Sequence, residues 1–217
     1  MTPARFSGTW LTIARVARSP KVDADCPLSP REAELLAVTL ELLREHGYDR
    51  LTLDGVAATA RASKATLYRR WPTKAELVLA AFIEGTRAEV VDPDTGTLRG
   101  DLLALGEAIC SHVTAHASTI RAVLVEVSRS EKLNAIMQEQ FLDQRKALVA
   151  HILARAVDRG EIKASAITED LWDVLPGYLI FRSVLAGREP CRRTVQDLVD
   201  NVLIPSLTRH NVGRYGL

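Results

Sequence analysis

Residues 51–77 read LTLDGVAATARASKATLYRRWPTKAEL, and the punctuation of this stretch decides the fold. Thr52 stands where a side-chain oxygen can cap a helix, and Leu53, Val56, Ala57 and Ala60 then recur at helical spacing. Arg61-Ala62 interrupts the pattern. Ser63 opens a second short stretch whose inward positions are Leu67 and Trp71, and Pro72 ends it because proline cannot continue a helix. Thr73-Lys-Ala-Glu76 then has the capping-box pattern ahead of Leu77, Val78, Ala81 and Phe82. The reading is two helices of about two turns, 53–60 and 63–70, a tight turn between them, and a third helix from 73 to about Thr86. Helices this short are not stable alone, so neighbouring helices must hold them.

Working outward, Ser29-Pro-Arg-Glu32 is another capping box with proline at the first helical position. Leu35, Leu36, Thr39, Leu40 and Leu43 keep the 3.6-residue period, and Gly47 supplies a left-handed stop, which predicts a helix over 30–46. On the other side, Asp92-Pro-Asp-Thr-Gly96 is a turn cluster that marks a domain boundary. Apolar spacing beyond it predicts helices over 98–116, 120–128, 131–159, 168–186 and 193–209. The helix at 168–186 is apolar all round and must be covered on both sides; Pro176-Gly177 inside it predicts a kink. No segment alternates with period two. The fold class is all-α: a flexible N-terminal extension over 1–29, a three-helix helix-turn-helix domain for DNA binding over 30–90, and a helical domain over 97–210. Residues 1–29 can also be read as a basic arm that touches DNA, through Arg5, Arg15, Arg18 and Lys21.

The charge pattern supports a localised nucleic-acid contact. The whole chain is nearly neutral, 28 Lys and Arg against 27 Asp and Glu, which argues against a nucleic-acid coat. Residues 50–74, however, carry Arg50, Arg61, Lys64, Arg69, Arg70 and Lys74 against Asp54 alone. No apolar run reaches the ~18–20 residues of a membrane-spanning helix. The apolar stretch 10–17 is cut short by Arg15 and Arg18, so the expected location is cytoplasmic. Cys26, Cys110 and Cys191 are far apart and lack metal-ligand spacing. His112 and His116 are four apart on one helix, a spacing a metal accepts, but no carboxylate motif accompanies them, and no metal or cofactor is expected. There is no glycine-rich phosphate loop, nucleophile elbow or paired-carboxylate motif, and hence no enzyme reading.

Residues 30–85 closely resemble the TetR family of transcriptional repressors. In that family a threonine opens the second helix, a Ser/Thr-rich recognition helix runs into Leu-Tyr, an aromatic closes it, and Ser/Thr-Lys-x-x-Leu opens the fourth. Here these are Thr52, Ser63, Thr66, Leu67, Tyr68, Trp71, Thr73, Lys74 and Leu77. The remainder is similar to the family's ligand-binding domain in element order and length, which implies that the helical domain over 97–210 is a ligand-binding and dimerisation domain. Two positions depart from the pattern: Arg61 replaces the usual turn glycine, which predicts a re-shaped or mildly strained turn, and Arg70 replaces a tyrosine or histidine. The resemblance implies that Thr52, Ser63, Tyr68, Arg70 and Lys74 anchor phosphates, which sets register without reading sequence. It implies that Lys64, Ala65, Thr66 and Arg69 read bases, the cations suiting guanine and Ala65 or the Thr66 methyl suiting thymine.

It also implies a homodimer on a palindromic double-stranded DNA operator, released by a small, mostly apolar effector. The candidate pocket lining is Phe141, Arg145, Trp172, Tyr178 and Phe181. Arg145 lies on the apolar stripe of its helix and reads as the polar anchor for an acidic effector. The blander reading is an internal ion pair with an acid such as Glu126 or Asp173, or a stem reaching out to water, since structural ion pairs also occupy such positions. A helical interaction adaptor without DNA binding is the alternative function, and it requires the basic motif to be incidental.

Overall fold

The computed structural model describes residues 28–87, 91–168 and 171–208, and every regular element among them is helical. The predicted N-terminal extension, with its alternative as a DNA-touching arm, therefore lies outside the described residues except at its end. Helix α1 (Pro30–Arg50) starts at the expected box: the Ser29 hydroxyl accepts the Glu32 N–H at 3.2 Å, and the Glu32 carboxylate accepts the Ser29 N–H at 2.8 Å. Gly47 breaks the helical dihedrals as expected, with φ +74°, and one further turn follows before Leu51. Helices α2 (Leu53–Thr59), α3 (Lys64–Arg70) and α4 (Lys74–Arg87) follow. Their apolar positions meet α1 in one core, where Leu35, Leu36, Val56, Leu67, Leu77 and Val78 are essentially closed to water.

Beyond Thr97, whose hydroxyl caps the next helix, α5 runs from Leu98 to Arg129 without the expected gap. The two predicted helices are one, bent at His116 (φ −120°, ψ 19°). The segment predicted as one helix over 131–159 is instead α6 (Glu131–Met137) and α7 (Asp143–Asp158), joined by a π-helical turn at Gln138–Leu142. Helix α8 (Leu171–Ile180) runs through Pro176, and the irregular step comes later, as a second π-turn at Phe181–Leu185. The last expected helix is α9 (Arg192–Leu198), a third π-turn (Val199–Leu203) and α10 (Ile204–Thr208).

α5 is the spine of the molecule. Its first half packs Leu98, Leu102 and Leu105 into a second core with α7, α8 and α9. Its second half gives Val113, Ile120 and Val123 to the first core, where α6 adds Leu133 and Met137. The turn cluster at 92–96 divides the sequence, but the core that supports α2 and α3 is closed by helices from beyond it. Polar ties fix the start of α5. Buried Asp101 accepts the Thr95 N–H and hydroxyl, each at 2.7 Å, and the Arg159 guanidinium at 3.2 Å. Arg99 forks onto Asp200 at 2.7 and 2.8 Å.

Candidate nucleic-acid interface and apolar cavity

The interface is built from α2 and α3. The Thr52 hydroxyl accepts the Gly55 N–H at 3.0 Å and starts α2, whose Leu53, Val56 and Ala57 face the core. The connecting turn closes with the Ala62 N–H on the Ala57 carbonyl at 2.8 Å. Arg61 sits in it at φ +50°, the left-handed conformation that glycine adopts without cost, as the departure from the family pattern predicts. In α3 only Leu67 is buried; Trp71, buried at its end, is the second anchor. Two inward residues hold the short helix, and Ser63, Lys64, Ala65, Thr66, Tyr68, Arg69 and Arg70 are left exposed together. The Ser63 hydroxyl makes no capping bond to its own helix.

The charges on this surface are not all alike. The Lys64 ammonium donates to Asp54 at 2.7 Å, and the Tyr68 hydroxyl donates to the other carboxylate oxygen at 3.3 Å. The Lys64 hydrogen bond holds Asp54 below the ordinary carboxylate range, and Asp54 in turn raises Lys64. Asp54, the one acid of the basic segment, thus ties α2 to α3, a contact that residue spacing did not reveal. Arg70 donates to Glu32 at 2.9 Å, pinning the end of α3 to the first turn of α1. Lys74 is half-buried; its ammonium donates to the Tyr48 carbonyl at 2.9 Å and lies 4.3 Å from the Tyr48 ring centre. Of the nine residues implied for DNA contact, seven (Ser63, Lys64, Ala65, Thr66, Tyr68, Arg69 and Arg70) share the open surface of α3. Thr52 is exposed at the start of α2, and Lys74 lies behind, bonded to the end of α1.

A cavity of about 260 Å³ opens between α4, α5, α7 and α8. Its wall is apolar apart from a few groups, of which the charged ones are Arg145, Lys146 and Asp173. Phe141, Arg145 and Trp172 line it as expected. Tyr178 and Phe181 do not, which corrects the expected pocket. Trp172, Pro176 and Ile180 are four residues apart and share the cavity side of α8. Tyr178 and, in the π-turn that follows, Phe181 and Leu185 are 39%, 55% and 74% exposed, and Tyr178 shares a surface hollow with Val202 (43%). The α5 wall (Leu102, Leu105, Ile109, Val113) had a visible apolar stripe in the sequence, but nothing there told cavity from core.

The cavity touches the helix that follows the interface. Phe82 of α4 lies 5.2 Å from the Phe141 ring and 5.8 Å from the His112 ring, and His112 packs 4.8 Å from His116. The Arg145 guanidinium lies 4.9 Å from the Phe141 ring centre and donates to the Thr86 carbonyl at 2.9 Å, in the last turn of α4.

Comparison with known proteins agrees with this geometry. A model described as "Bacterial regulatory proteins, tetR family" matches residues 35–81, and one described as "Tetracyclin repressor-like, C-terminal domain" matches residues 92–202. An HTH-type transcriptional regulator of Mycobacterium tuberculosis is 69% identical over 183 residues, covering 84% of this chain and 91% of that protein. A protein of Mycobacteroides abscessus named DNA-binding transcriptional repressor TetR is 37% identical, over 80% of this chain and 92% of its own length. The crystal structure of the TetR family transcription regulator SCO0332 superposes with a TM-score of 0.70 at 29% identity, covering 83% of this chain and all of that one.

Proposed function

Because the chain belongs to the TetR family of transcriptional regulators, we propose that it represses genes by holding an operator as a homodimer and releases it on binding a small, mostly apolar effector. The single observation that carries the DNA reading is α3: six of its seven residues and the Ser63 that precedes it are open, while Leu67 and Trp71 fasten it to the core. In the major groove its first residues reach base edges. Lys64, Ala65, Thr66 and Arg69 read bases; Thr52, Ser63, Tyr68 and Arg70 hold phosphates. Lys64 exchanges Asp54 for DNA as it docks. Lys74, engaged by the carbonyls that end α1, contributes positive potential and orients the α1–α4 junction.

The exposed apolar side chains Tyr178, Phe181, Leu185 and Val202 support a two-fold dimer that would cover them. The cavity supports an effector. A repressor role is supported by the name of the Mycobacteroides relative. No described helix is long and apolar enough to cross a membrane, and a protein working on operator DNA acts in the cytoplasm. We assign it regulation and not catalysis. Selection of bound fragments from genomic DNA, followed by footprinting, tests the proposal. The expected product is an imperfect palindrome with half-sites about one helical turn apart or somewhat more. Enrichment of no sequence over random DNA would favour the adaptor reading.

A further inference from the structure

Arg61 is the exposed residue of the turn between α2 and α3. On either side of it Ala60 is buried and Ala62 packs against the first core. The Arg61 N–H donates to the Ala58 carbonyl at 3.1 Å, which fixes the backbone beneath the side chain. That backbone is left-handed, at φ +50°, where glycine would sit without cost. Residues held in such conformations cluster at functional sites. Of the six basic residues between 50 and 74, four are engaged: Arg50 on the His46 carbonyl, Lys64 on Asp54, Arg70 on Glu32 and Lys74 on the Tyr48 carbonyl. Arg61 and Arg69 are exposed and have no such partner among the described residues.

We infer that Arg61 is a further DNA contact of this chain, its guanidinium gripping a backbone phosphate beside the start of α3. This rests on the DNA reading above and adds a residue to it. A guanidinium forks onto two phosphate oxygens in charge-assisted bonds. Two residues on, the Ser63 hydroxyl makes no bond to its own helix, so a cation and a hydroxyl stand together at this end of α3. A helix of seven residues is only about 10 Å long, so both of its ends stay within side-chain reach of the phosphates that flank a groove about 12 Å wide. Arg70 serves the far end and Arg61 the near one. The two differ in what docking costs them. Lys64 and Arg70 each leave a carboxylate, at 2.7 and 2.9 Å, to take up DNA, whereas Arg61 gives up only water. The contact adds affinity and holds register, and it reads no sequence.

The test is fluorescence anisotropy of the full chain with a labelled duplex of random sequence, at salt from about 50 to 200 mM. For each protomer on the duplex, one phosphate contact is worth a slope of about 0.9 in log K against log salt, and hence about eightfold in affinity at 100 mM. Arg61→Ala and Arg61→Gly are both expected to show that loss and that shallower slope. Glycine adopts the turn freely, so distortion of the turn cannot explain a loss common to both. Arg61→Lys keeps the charge and is expected to keep the slope. Lys163→Ala removes an exposed cation beyond the end of α7 and should change neither quantity. On fragments recovered by selection for binding, Arg61→Ala should lose the same factor as on random duplex. Unchanged slopes in the alanine and glycine variants, with the native chain salt-dependent, overturn the contact and leave the DNA reading standing. A loss in the alanine variant alone assigns the effect to the backbone of the turn and overturns the contact. An equal loss in Lys163→Ala reduces it to net charge and overturns it as well. A loss confined to selected fragments overturns the phosphate assignment. A native chain that binds neither random nor selected DNA overturns both the inference and the DNA reading on which it rests.

Discussion

Replacing Arg61 by glycine should stabilise the protein, and the size of the gain follows from one dihedral. Arg61 is the one non-glycine residue with positive φ among the described residues, at +50°, in the turn that sets α3 against α2. A side chain with a Cβ costs roughly 1–2 kcal/mol in the left-handed region. Glycine removes that cost but gives the unfolded chain more freedom, which returns about 0.4–1 kcal/mol. The expected net gain is about 0.5–1 kcal/mol, or some 1–4 °C in Tm for a chain of this size. The informative comparison is Arg61→Gly against Arg61→Ala, since both remove the charge and only one removes the Cβ. Urea unfolding at unchanged slope should place the glycine variant above the alanine variant by that amount. A gel shift on the same pair separates the second issue, because any phosphate contact of the Arg61 side chain is lost equally in both. If the glycine variant is no more stable than the alanine variant, the turn is not strained and its departure from the family pattern needs another account.

Removing the acid that clasps the recognition helix should tighten DNA binding without changing its salt dependence: Asp54→Ala frees Lys64 and Tyr68, so no ion pair has to break on docking, and affinity for random DNA should rise at an unchanged slope of log K against log salt. A slope steeper by about 0.9 would mean that Lys64 stays on Asp54 in the native complex. Asp101 gives a pH effect of definite sign. Burial works against its charge, but the Thr95 N–H and hydroxyl and the Arg159 guanidinium outweigh it and hold the carboxyl below its ordinary value. Its contribution is therefore complete above the unfolded value of about 3.9 and fades as pH falls through the lower folded value. Asp101→Asn should cost about 1–3 kcal/mol at neutral pH and flatten the acid limb of a stability-against-pH curve; equal acid limbs in the two proteins would remove Asp101 from that role. Leu185→Glu, at the exposed end of the π-turn after α8, should leave the melting of the protomer intact and give a species near 23.9 kDa by sedimentation; a dimer that survives it uses another face.

What could be read from residues alone follows a physical line. Capping boxes at Ser29 and the Leu67–Trp71 pair were legible because they are local: the bonds at Ser29 join residues three apart, and an inward stripe needs only the helical period. The three π-turns were not legible, since an extra residue in a turn leaves composition untouched and merely shifts the phase of everything after it. The same limit produced the pocket error. Tyr178 and Phe181 are as apolar as Trp172, and only the rotation of α8 decides that one looks into the cavity while the others look out. Asp54 was counted as a subtraction from local charge; its place across from Lys64 depends on the angle between two helices, which no spacing rule supplies.

The placement of the two cores bears on how regulation reaches DNA. A helix-turn-helix unit closed by its own hydrophobic residues would be insulated from changes elsewhere in the chain. Here Val113, Ile120, Val123, Leu133 and Met137, all from beyond the boundary at 92–96, complete the core under α2 and α3. Lys132 of α6 adds an ion pair to Glu76 of α4 at 2.7 Å. Packed cores respond to a shift by moving between discrete arrangements and not by smooth deformation. Val113, Ile120 and Val123 also line the cavity, so the same side chains that support the recognition helix feel whatever fills that space. Cavity wall and support thus share one set of contacts, and the bend of α5 at His116 lies between Val113 and Ile120, where the two meet.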